Sequence, residues 1–177
     1  MNKKKKYILL GSSVVVIVLL VNLFIFIGKG NKIDSPIKKV ITGINNNKVD
    51  YIIDAYHDYC KEDMQTKFSQ NSLDVYQDFL EENNGENVKF SYKVTDSQKM
   101  SAEDLDMYYT VALAQYPYIQ NHKLTFDAVY TVSTEMVLKN KETRDEADLE
   151  WLIVKIDGKY YLLDEQYNTF INQFMEW

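Results

Sequence analysis

Hydrophobic positions along this chain follow three different periods, and each period predicts a different kind of element. Residues 8 to 27, ILLGSSVVVIVLLVNLFIFI, form an apolar run of twenty positions without a charge. As a helix rising about 1.5 Å per residue, the run is ~30 Å long, the thickness of a bilayer's hydrocarbon core. Ser12 and Ser13 are tolerable there because hydroxyls bond back to the helix backbone, and the single Asn22 does not break the span.

Beyond a short tether the period becomes helical. Ser35-Pro36 predicts a start, with Ser as cap and Pro in the first turn. Ile37, Val40, Ile41 and Ile44 then make an apolar stripe, broken at Asn45-Asn46-Asn47. A second helical stretch places Val49, Ile52, Ile53, Tyr56 and Cys60 on one face. A third is expected after a cap at Ser72, with Leu73, Tyr76, Phe79 and Leu80 inward and Asn83-Asn84-Gly85 as the stop.

Period two follows. Val88, Phe90, Tyr92 and Val94 alternate with Lys89, Ser91, Lys93 and Thr95, the pattern of a half-buried strand. A helix from Ser101, striped by Leu105, Tyr108, Tyr109, Ala112, Leu113 and Tyr116, ends at Pro117. A long strand from Leu124 to Leu138 turns at 139–142 and returns as Arg144 to Ile156. In that return strand Glu146, Asp148 and Glu150 share a face with Leu152, Val154 and Ile156. Either both faces become covered near Trp151, or a bulge switches the register there. Asp157-Gly158 marks a tight hairpin into Tyr160–Leu163. A terminal helix capped by Asp164 would carry Tyr167, Phe170, Ile171 and Phe174 on one face.

The order predicts an α+β domain: helices packed on one face of a curved antiparallel sheet of about four strands. The apolar run is longer than the roughly 7–15 residues of a cleavable signal, and no A-x-A-like site follows it. The expected layout is therefore a tail at 1–6, a membrane anchor at 7–28, a tether at 29–35 and a domain at 36–177. Four consecutive lysines, Lys3 to Lys6, are poorly translocated, which keeps the N-terminus in the cytoplasm and the domain outside the cell membrane. From Lys29 onward the chain holds all 26 acidic residues against 16 of its 20 basic ones, about −10 in net charge. That acidity disfavours nucleic acid as a partner and repels anionic lipid head groups. The expected partners are the bilayer, through residues 7–28, and other membrane or envelope proteins.

The helical start IKKVITGINNNKVDYIIDAY, the strand NVKFSYKV, the helix SAEDLDMYYTVALAQY and the ending LEWLIVKIDGKYYLLD resemble the nuclear transport factor 2-like (cystatin-like) superfamily. The likeness is to its extracytoplasmic, anchored members from Gram-positive bacteria and covers about residues 36 to 164. It implies a cone-like domain, and enzymes of the superfamily place a carboxylate with tyrosines or a histidine inside the cone. The nearest imitation here is Asp127 with Tyr130 or Tyr92, but Asp127 alternates onto the polar face, as a solvated carboxylate does.

Other chemistry is thin. His57 and Cys60 are three apart, a spacing that could bring both to a metal, but two ligands do not make a site, and His122 falls in a predicted loop. Cys60 lies on an apolar stripe, as a small hydrophobe does. The acidic set Asp145, Glu146, Asp148 and Glu150 lacks the glycine and ligand spacing of a calcium loop. No catalytic, metal or cofactor-binding residues are expected. Tyr92, Tyr130, Trp151, Phe170 and Phe174 are the expected pocket or partner contacts. The function read from this pattern is a non-enzymatic protein-interaction or small-ligand-binding module at the outer membrane face. The alternative is a scaffold subunit of a type IV secretion or conjugation channel, and the least favoured is a small isomerase-like or hydrolase-like enzyme using Asp127 or His57.

Overall fold

Four helices, a strand, two helices and a three-stranded meander follow one another in a computed structural model that describes residues 32–163. All of these but Lys32 belong to one compact unit that begins at Ile33. The run at 8–27 and the helix expected after Asp164, with Phe170 and Phe174, lie outside the described residues. Among the described residues no helix is long and apolar enough to cross a membrane.

The first helix, α1, is Ser35–Asn45, with Pro36 in its first turn. Its cap position is Asp34 rather than Ser35, and Asp34 makes no capping bond, because its carboxylate instead accepts from the Tyr92 hydroxyl at 2.9 Å. The stretch expected as one helix through Cys60 breaks into two pieces, and a third helical segment follows it. These are α2, Val49–Ile53; a 3₁₀ turn, Asp58–Cys60; and α3, Lys61–Lys67. The interruption has a tertiary cause: Tyr56 leaves the helix to form a parallel bridge with Leu162, and Leu162 N–H donates to the Ala55 carbonyl at 3.0 Å. Helix α4, Gln70–Asn84, is capped by Ser69, whose hydroxyl accepts from Ser72 N–H at 3.1 Å, so the cap sits one turn earlier than expected. It stops where Gly85 takes a φ of 84°, open to glycine and strained for other residues.

Strands β1 (Lys89–Lys99), β2 (Ala128–Lys139), β3 (Arg144–Ile156) and β4 (Lys159–Leu162) form one antiparallel sheet in the order 1-2-3-4. Between β1 and β2 lie α5, Ala102–Gln115, and α6, Pro117–Asn121. Ser101 caps α5, its hydroxyl accepting from Asp104 N–H at 3.1 Å, as the sequence predicts. Pro117 does end that helix, and its fixed φ then starts α6.

The puzzle of β3 resolves in favour of two covered faces. The β2–β3 register runs unbroken from Ala128↔Lys155 to Lys139↔Arg144, and the bulge lies in β1, between Val94 and Asp96. Val132, Met136, Trp151 and Ile153 face the large core built with α1 to α4. On the other face, Val129, Val154 and Ile156 join Ala112, Ile119, Leu124 and Leu163 in a second core under α5 and α6. Helices therefore pack on both faces of the sheet, which corrects the expectation of one. The strand expected from Leu124 starts at Ala128 instead, and Leu124 and Phe126 precede it and pack into this second core. In the acidic stretch of β3, Glu146, Asp148 and Glu150 are exposed on the second face among the described residues.

At Phe90 the outer edge of β1 is met by a side chain. Asn45, at the end of α1, donates from Nδ2 to the Phe90 carbonyl at 2.7 Å and accepts from Phe90 N–H on Oδ1 at 2.8 Å. The amide thus imitates a neighbouring strand and protects an edge that could otherwise pair with another chain.

Candidate ligand cleft

Both histidines of the chain, sixty-five positions apart, line one cleft of about 520 Å³. Three turns build it. The segment after α2 delivers His57, Asp58 and Tyr59, because the Tyr56–Leu162 bridge fixes it beside β4. The C-terminal turn of α6 delivers His122, Lys123 and Leu124, closed by Leu124 N–H donating to the Ile119 carbonyl at 3.0 Å. The β3–β4 hairpin delivers Ile156, Asp157, Lys159 and Tyr161. Its turn is held by Asp127, whose Oδ2 accepts from Gly158 N–H at 2.9 Å.

Four rings form a connected row in the cleft. Tyr59 and His122 stack face to face, with centroids 3.7 Å apart and planes within 1°. His57 lies 5.2 Å from Tyr59 and meets Tyr161 edge-on at 4.8 Å. The lining is mostly polar, unlike the apolar cavities that hold most small ligands. A polar lining of ligand size selects for polar or charged guests.

Hydrogen bonding assigns the His57 tautomer. His57 caps the 3₁₀ turn, its Nδ1 accepting from Tyr59 N–H at 3.4 Å. An occupied Nδ1 lone pair leaves the proton on Nε2, so neutral His57 offers a donor there. Burial pushes the imidazole below its ordinary value of 6.5; Asp58 and Asp157 pull it up, and His122 and Lys159 push it down. Asp58 is held below the usual carboxylate range by its bond to Lys61, 2.9 Å away, which also pairs with Asp54 at 2.7 Å. Burial raises the Tyr161 phenol, which keeps its proton at neutral pH.

Lys123 has a φ of 50°, the left-handed region where a helix stop normally carries glycine or asparagine. Neither Lys123 nor Lys159 makes an ion pair among the described residues. Neither imidazole is hydrogen-bonded to a carboxylate there, and no group of three or more His, Cys, Asp or Glu could hold a metal ion.

The residues singled out in the sequence stand elsewhere. Trp151 is buried, and its indole Nε1–H donates to Thr134 Oγ1 at 2.8 Å. Tyr92 and Tyr130 are half-buried against the large core, Tyr130 edge-on to Tyr160 at 5.9 Å. None of the three lines the cleft. Cys60 is buried, its thiol donating to the His57 carbonyl at 3.0 Å, so the pair meets through backbone and not through the ring. The cleft itself went unseen in the sequence, where nothing in local spacing connects His57 with His122.

Comparison with protein-family models, with curated proteins and with solved structures finds no significant match for this chain.

Proposed function

We propose that this chain is a non-enzymatic, membrane-anchored module of the nuclear transport factor 2-like superfamily that presents a small-ligand cleft outside the cell membrane. The anchor is residues 7–28, with the tail 1–6 in the cytoplasm. Supporting the anchor is the uncharged apolar run behind Lys3 to Lys6. The family reading draws support from the element order of helices, strand, helices and meander, and from the aromatic hairpin around Asp157-Gly158.

One observation carries the ligand role: both histidines meet Tyr59 and Tyr161 in a polar cleft of ligand size. Binding fits better than turnover, because His57 spends its basic nitrogen on the Tyr59 amide and no third group orients either imidazole among the described residues.

The test uses the full chain in zwitterionic micelles, screened with small polar fragments. The imidazole C–H resonances of His57 and His122 report contact. Fragments that move both resonances together, and are recovered unchanged, are the expected result. Hits that leave both unmoved, or compounds converted during incubation, refute the reading. A reporter that folds only outside the cytoplasm, fused after Trp177, is expected to be active; an inactive one refutes the orientation.

A further inference from the structure

We propose that the guest of this cleft is a small planar organic anion, a carboxylate carried on a flat ring, held by Lys123 and Lys159 at its charge and by the Tyr59–His122 stack at its ring. The inference rests on the ligand-binding reading above and adds the chemical class. It is drawn from three features.

The first is charge. In a domain that is strongly acidic, two lysines without an ion pair among the described residues line one cleft with both imidazoles. Of the two carboxylates that line the cleft, Asp58 is already engaged by Lys61, which leaves Asp157 as the remaining negative charge. Neutral His57 contributes a further donor at Nε2. Carboxylates accept such bonds, and ammonium guests cannot.

The second is shape. Tyr59 is half exposed although its ring lies flat on His122, and His122 is itself exposed, so the stack offers aromatic surface at the cleft. A flat ring extends such a stack by offset or edge contact.

The third is strain. Lys123 occupies a left-handed position where glycine would be easier, so the fold keeps a charged side chain at a cost in stability. Lys123→Gly therefore separates the two roles: removal of a ligand contact should weaken binding while the helix stop relaxes.

The experiment titrates benzoate, benzamide, benzylamine and acetate into the full chain in zwitterionic micelles, reading the two imidazole resonances. Benzoate is expected to move both, about ten-fold more tightly than benzamide, with affinity falling as salt rises. Benzylamine and acetate are expected to bind far more weakly. Lys123→Gly and Lys159→Gln should each weaken benzoate by about ten-fold, and Lys123→Gly should melt no lower than the parent. Benzamide or benzylamine binding as well as benzoate overturns the anion, and acetate binding as well as benzoate overturns the ring, while the cleft itself stands. If none of the four moves either histidine, the planar-anion proposal fails, and the fragment screen described above decides the ligand-binding reading separately.

Discussion

Gly43 looks like a defect in α1, and replacing it with alanine looks like a repair. In a helix interior that substitution gains about 0.8–1 kcal/mol from backbone entropy alone. The structure reverses the sign. A Cβ on Gly43 would stand 2.6 Å from Ile52 Cγ1, 3.0 Å from the Lys48 carbonyl oxygen and 3.1 Å from Ile52 N. Two of those three atoms are backbone, so no rotamer change clears them. They belong to the start of α2, which turns back on α1 through Lys48 N–H donating to the Gly43 carbonyl at 2.9 Å. Forcing such a contact apart costs about 1–3 kcal/mol. Gly43→Ala should therefore lose about 1 kcal/mol net, a fall in melting temperature of roughly 2–6 °C for a domain of this size. The assay is thermal and urea unfolding of the full chain in micelles, followed by far-ultraviolet circular dichroism. Ile52→Ala removes the shortest contact and leaves the backbone ones, so in that background the Gly43→Ala penalty should shrink without vanishing. A Gly43→Ala protein that melts above its parent refutes the argument.

Thr134→Val keeps the shape but removes the hydroxyl to which the buried Trp151 indole donates, and should cost about 1–3 kcal/mol in urea unfolding; Thr134→Ser should recover most of it. Asn45→Ala removes both bonds to Phe90, so hydrogen exchange should show faster exchange of the Phe90 amide, and unchanged exchange there contradicts the strand-mimic role. Burial holds His57 below its ordinary 6.5, so the unfolded chain takes the proton first. Stability from this group is complete above about 6.5, falls as pH drops through it, and levels off below the folded value. His57→Asn, which can still cap Tyr59, should flatten that segment of the pH–stability curve; a parent less stable at pH 7.5 than at pH 6 would contradict the sign.

Local physics is written in the chain wherever one element decides its own shape. Period two predicted β1 and β3, the turn chemistry of Asp157-Gly158 predicted the last hairpin, and Ser101 and Gly85 marked helix ends that the structure keeps. These depend on residues a few positions apart, whose geometry follows from backbone sterics and nearby hydrogen bonds. The helix drawn through Cys60 failed because its continuation competes with a partner distant in sequence, Leu162, which takes Tyr56 into a bridge.

What tertiary structure decided is which surfaces meet. The mixed face of β3, with three carboxylates followed by Leu152, Val154 and Ile156, could be a bulge or a second core when read alone. An unbroken register and the docking of α5 and α6 select the core. The cleft is the sharper case. His57, His122 and Tyr161 come from three segments, two turns and strand β4, with no shared period, and no local rule connects them. They converge because the Tyr56–Leu162 bridge fixes one segment, α6 fixes the second and the Asp127-held hairpin fixes the third. Sequence alone determined where apolar surface needed burial; only the packing of the elements determined which polar groups were left facing one another when that burial was complete.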